Sequence, residues 1–162
     1  MTNDETRLLE RPMGEGGKMT NVEARNDFDE ETFWEGAEAS LVVREDAAPM
    51  LYDLEERTAK FGEAVIDFAK KIPLGPLTNR LVDQLVGCGT SVGANYCEAD
   101  DAVSKKEFLL RIGTCRKEAR ETKYFLRMIV RAIPELKPQA RVVWREAKEL
   151  HLISSKIRRN GK

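Results

Sequence analysis

From residue 51 onward, apolar and polar residues recur with a helical period. Leu51, Leu54, Thr58, Phe61, Val65, Phe68 and Ile72 follow spacings of 3, 4, 3, 4, 3 and 4, which puts all seven on one face of a helix. Pro73, Gly75 and Pro76 end that helix. A second stripe runs through Leu81, Leu85, Cys88, Val92, Tyr96, Ala99 and Val103, with Thr78 or Asn79 as the expected N-cap. Gly87, Gly89 and Gly93 interrupt it, each costing up to about 1 kcal/mol against Ala in a helix interior. The continued 3–4 spacing and the lack of two-residue alternation still favour a helix over a strand. Ser104-Lys105-Lys106-Glu107 has the form of a capping box. It opens a third helix with the most regular stripe in the chain: Phe108, Ile112, Cys115, Ala119, Thr122, Leu126, Ile129 and Ile133. Pro134 stops that helix, and Pro138 suits the first turn of a fourth. The fourth stripe is Ala140, Val143, Ala147, Leu150, Ser154 and Ile157, widened by Val142 and Ile153, and Asn160-Gly161 ends it.

Four helices of this length joined by short connections predict an all-α fold. The expected arrangement is an antiparallel up-down-up-down four-helix bundle over residues 50–160, with crossing angles near roughly 20°. Residues 1–49 show no steady period, and Pro12, Gly14, Gly16 and Gly17 break any regular element there. Low apolar content and high charge predict a disordered, acidic N-terminal tail. Two small apolar clusters interrupt it, Phe33-Trp34 and Leu41-Val42-Val43. Either these belong to a recognition segment that folds onto a partner or onto the protein's own basic body, or they are incidental hydrophobes in a solvated tail, and the second reading is favoured.

Charge sharpens this division. The 162-residue chain has a formal net charge of −1. Residues 1–50 hold 13 acidic and 5 basic residues, whereas residues 51–162 hold 15 acidic and 22 basic. A front of −8 thus precedes a body of +7. No apolar run approaches the roughly 18 residues of a membrane helix. The polar start Met1-Thr2-Asn3-Asp4-Glu5 has no secretory pattern, and three cysteines suit reduced thiols. The expected location is therefore the cytoplasm. A single histidine, His151, argues against His-based catalysis and most transition-metal sites. The expectation is a binding or structural protein with no catalytic group, metal or cofactor.

Two sets of side chains stand out. Gln84, Ser91, Asn95 and Glu98 share a face of the second predicted helix, and Glu118 and Glu121 lie in the third. A carboxylate metal site built on Glu98, Glu118 and Glu121 lacks the Glu-x-x-His pairs of di-iron bundles. The favoured role for all six is a structural polar network that sets helix and subunit geometry. The second set is Arg116, Arg120, Lys123, Arg127 and Arg131, spaced 4, 3, 4 and 4 along the third helix on the side away from its apolar stripe. Residues 102–162 hold 17 basic against 6 acidic residues. A stripe of this kind can contact RNA or DNA phosphates and release counterions. With no base-reading motif, such binding would follow shape and backbone. The alternative is a face that docks an acidic protein partner or residues 23–46 of the same chain.

Five stretches carry a family resemblance: Asp53-Leu54-Glu55-Glu56-Arg57-Thr58, Gln84-Leu85, Thr90-Ser91-Val92-Gly93-Ala94-Asn95-Tyr96-Cys97-Glu98-Ala99, Ser104-Lys105-Lys106-Glu107-Phe108 and Lys117-Glu118-Ala119-Arg120-Glu121-Thr122. Together they resemble the bacterial four helix bundle proteins of the 23S rRNA intervening-sequence type, over about residues 51–158. The resemblance implies a non-enzymatic bundle without a cofactor that assembles into a homo-oligomeric ring, commonly a pentamer. It also implies an accessory role in which related proteins bind nucleic acid and a protein partner through a basic surface. The acidic tail lies outside the family pattern.

Overall fold

The computed structural model describes residues 30–35 and 53–161. It is all-helical over that range, with five α-helices: α1 (Glu30–Glu35), α2 (Leu54–Ala69), α3 (Thr78–Asp100), α4 (Lys105–Ala132) and α5 (Lys137–Asn160). A single 3-10 turn, Pro134–Leu136, joins α4 to α5. Helix α2 packs on α3 and α5, and α4 packs on the same two, so each of the four long helices has two neighbours. Leu51 and the second apolar cluster, Leu41-Val42-Val43, lie outside the described residues.

The predicted stripes supply the core. Phe61, Val65, Phe68, Leu85, Val92, Cys115, Ala119, Leu126, Ile129, Ala140, Val143, Ala147 and Leu150 are all buried in one cluster. Two positions differ from the expectation. Val103 follows the end of α3 and is almost fully exposed, because the chain leaves the helix at Asp101. Val142 is exposed, and Trp144 is buried in its place. Trp144 lies four residues after Ala140 and three before Ala147, so the helical period turns it toward the stripe and Val142 away from it.

The helix ends follow local chemistry. Asp53 caps α2 by accepting from the Glu56 N–H at 3.1 Å. Ser104 caps α4, its hydroxyl accepting from the Glu107 N–H at 3.2 Å. The Glu107 carboxylate reaches back to the Val103 N–H at 3.3 Å, one residue earlier than a capping box requires. At α3 neither expected cap forms, and Leu77 holds the N-cap position without a side-chain bond. Thr78 instead donates its hydroxyl to the Pro73 carbonyl at 2.6 Å, and Asn79 accepts from the Gly75 N–H at 2.9 Å. Both side chains fasten the preceding turn.

The α3 glycines set the α2–α3 approach. A Cβ on Gly89 would stand 2.7 Å from Val65 Cγ1, and one on Gly93 would stand 3.4 Å from the Thr58 carbonyl oxygen. Closest approach at these two points explains why a helix carries residues that weaken it. Across the other side, Arg57 of α2 grips Glu146 of α5 with two bonds, Nε–Oε1 at 2.6 Å and Nη2–Oε2 at 3.0 Å. Such forked pairing fixes geometry as well as charge.

Candidate functional site

The five cations of the α4 stripe stand in unequal surroundings. Arg120 and Arg131 are exposed, whereas Arg116, Lys123 and Arg127 are half-buried. The Arg116 Nε is buried with no hydrogen-bond partner among the described residues. Its backbone carbonyl accepts from His151 Nδ1 of α5 at 3.1 Å, which pins the start of the stripe to the neighbouring helix. Burial, the largest influence on His151, lowers its pKa, and Lys123, Arg116 and Arg120 push the same way. The imidazole sits in positive surroundings that resist adding another charge.

The middle of the stripe is covered. Helix α1, from the acidic front of the chain, lies where α4 meets α5. Its Glu30 carboxylate takes the Lys123 ammonium at 3.0 and 3.1 Å, and the Trp144 Nε1–H donates to Glu30 Oε1 at 3.2 Å. Trp34 stacks on Trp144 with ring centroids 5.4 Å apart and planes at 27°. It is 2% exposed and belongs to the main core cluster. Phe33 meets Trp34 edge-on at 5.1 Å, with the Lys137 ammonium 5.1 Å and the Arg127 guanidinium 5.9 Å from its ring centre. Lys123 and Lys148 lie 5.4 and 5.5 Å from the Trp144 ring. Aromatic faces attract cations in this range.

At residues 30–35 the structure therefore shows an ordered helix in a region where composition predicts disorder. Phe33-Trp34 folds onto the protein's own basic body, which corrects the favoured expectation of incidental hydrophobes at this cluster. The physical reason is that Trp144 offers an aromatic seat with cations around it. The rest of residues 1–49 lies outside the described residues. The seat is close to energetic balance. Burying a tryptophan of roughly 200 Å² contributes about 5 kcal/mol, and fixing six residues costs about 6 kcal/mol at about 1 kcal/mol each.

Within one chain, and among the described residues, no hydrogen bond between side chains links the six residues assigned to a polar network to one another. Gln84 and Glu121 are exposed. Asn95 donates its amide to the Ser91 carbonyl at 2.9 Å, a bond within α3. Only Glu98 is seen to cross between helices, pairing with Arg111 of α4 at 2.5 Å. Glu118 is half-buried, and desolvation followed by the Glu121 charge raises its pKa. The α3–α4 contact is closed by less conspicuous groups. Thr122 donates to Cys88 Sγ at 3.4 Å, and Cys115 Sγ donates to the Val92 carbonyl at 3.4 Å. Among the described residues no group of three or more His, Cys, Asp or Glu is placed to hold a metal ion.

Sequence reasoning missed Trp144, Glu30 and Arg57 as contact residues. A signal existed for Trp144, in its spacing from Ala140 and Ala147. For Glu30 and Arg57 there was none, because each pairs with a residue far away in the chain.

Fold and face together define a class: an all-helical protein with a cationic, aromatic-bearing surface along α4 and α5. The comparisons agree on the fold. The chain is similar to the crystal structure of a protein of unknown function from the S23 ribosomal protein family of Bacteroides thetaiotaomicron, at a TM-score of 0.57 and 23% identity, covering 65% of this chain and 97% of that one. No protein-family model matches the sequence, and no curated protein matches it. No helix among the described residues is long and apolar enough to cross a membrane.

Proposed function

We propose that the chain is a cytoplasmic, non-enzymatic adaptor of the 23S rRNA intervening-sequence type that holds nucleic acid by its phosphates along α4. In this reading α2–α5 run up, down, up and down as an antiparallel four-helix bundle, and copies associate into a homo-oligomer. Short connections between successive helices support the antiparallel order. The S23 family name of the structural neighbour is consistent with the family type. Exposed Leu74, Leu77, Val103 and Leu110 supply apolar surface for self-association.

The observation that carries the nucleic-acid reading is the cationic face itself. Arg120 and Arg131 stand exposed at either side of the covered centre, and the Lys156, Arg158 and Arg159 cluster adds charge near the end of the chain. The test is fluorescence anisotropy of the full chain with labelled RNA, single-stranded DNA and duplex DNA over a salt series. Replacing Arg120 and Arg131 together by Ala should weaken binding alike on every sequence. It should also reduce the salt slope on duplex DNA by about 2. Absence of binding by the parent chain at low salt to all three nucleic acids overturns the reading.

One observation favours a second reading. The centre of the same face already holds an acidic polypeptide, through Glu30–Lys123 and Trp34–Trp144. A surface that accepts its own acidic segment has the chemistry to accept one from a protein partner.

A further inference from the structure

We infer that the α4–α5 face is a receptor for a short acidic-aromatic helical segment of a partner protein, and that α1 is its resident competitor. This rests on the second reading above and narrows it to a defined ligand. The seat has three features in a fixed order. Lys123 and the Trp144 Nε1–H converge on one carboxylate. The Trp144 ring accepts a stacked aromatic side chain. Lys137 and Arg127 lie against a second aromatic ring. The matching ligand carries a carboxylate followed three and four residues later by two aromatics, as Glu30, Phe33 and Trp34 do in α1. In a helix, positions i, i+3 and i+4 share one face, so a single turn presents all three groups.

The resident segment has the properties of a displaceable ligand. It is six residues long, too short to hold helical form without its seat. Burial of Trp34 nearly offsets the ordering of the segment, the charge-assisted bonds of Glu30 to Lys123 and Trp144 tip the balance toward the seat, and the segment is covalently joined to the body. A tether keeps the local concentration high, so the segment holds the seat when no competitor is present. A partner segment of the same pattern meets the same groups and replaces it. Charge complementarity selects the partner, since the seat sets Lys123 and Lys148 beside the Trp144 ring and Arg127 and Lys137 beside the place taken by the Phe33 ring.

The experiment uses the full chain and a labelled peptide with the sequence of residues 26–36, read by anisotropy. Trp34→Ala in the full chain empties the seat, so the peptide should bind it about tenfold more tightly than it binds the parent, whose seat is occupied most of the time. Glu30→Gln, which leaves the buried Trp34 in place, should shift affinity in the same direction by a smaller factor. It serves as the variant of record if Trp34→Ala does not fold. A peptide with both aromatics changed to Ala should bind at least about tenfold more weakly. Lys123→Gln added to Trp34→Ala should weaken the aromatic peptide relative to Trp34→Ala alone. If the aromatic-free peptide binds as well as the aromatic one, the inference falls while the broader docking reading stands. If neither peptide binds any of the variants, both fall.

Discussion

A side chain's reactivity follows from what surrounds it, and the three cysteines make the point. Cys88 and Cys115 are buried between α3 and α4, and desolvation pushes both thiols up to about 11. Near neutral pH almost none of either exists as thiolate, the form that attacks. Cys97 is exposed on α3. A thiol-reactive dye at pH 7.5 should therefore label one cysteine per native chain within minutes and all three after denaturation, as counted by intact mass. Two or three rapidly labelled sites in the native protein would contradict the packing described for Cys88 and Cys115. Residue identity alone did not reveal this division. Cys88 and Cys115 were legible as stripe members, and Cys97 only by its absence from the stripe of its helix.

At the scale of the element, α3 joins poor intrinsic helix propensity to close packing. Two of its glycines give opposite predictions. Gly89→Ala places a methyl 2.7 Å from Val65 Cγ1 and 2.8 Å from Cγ2, so α2 and α3 must separate. It should destabilise the protein by about 1–3 kcal/mol. Gly87 is exposed, with nothing within 4 Å of an added Cβ. Gly87→Ala should stabilise by up to about 1 kcal/mol through helix propensity and a less flexible unfolded chain. Urea titrations followed by circular dichroism decide both, and equal effects of the two substitutions would refute the close approach. Helix existence and the buried faces were legible because they follow from a repeat of 3 and 4. Helix ends were less so. Thr78 and Asn79 have the right chemistry for a cap but spend it on Pro73 and Gly75, a choice made by the turn geometry. The partners of these polar side chains across the bundle were illegible for a related reason. Shared spacing on one helix says nothing of what the opposite helix presents, and there Glu98 finds Arg111.

At the scale of the whole molecule, residues 30–35 of the negative front fold against the positive body at a small seat. Composition predicted the attraction, but only the fold supplies Trp144 and Lys123 side by side. The seat and the helical body differ in strength. Trp34 anchors a six-residue helix, whereas Leu126 and Ile129 lie fully buried within a 28-residue one. Hydrogen exchange read by mass spectrometry should show the amides of residues 30–35 exchanging orders of magnitude faster than those around Leu126. Equal protection would mean that α1 opens only when the whole protein unfolds. The stacked ring pair has an optical consequence. The chain has two tryptophans, and both sit in this one contact. Ultraviolet emission excited at the indole band thus watches a single doorway. A heating curve followed by that emission should change first as α1 departs, below the midpoint at which the ellipticity of the long helices is lost, and again as Trp144 leaves the core.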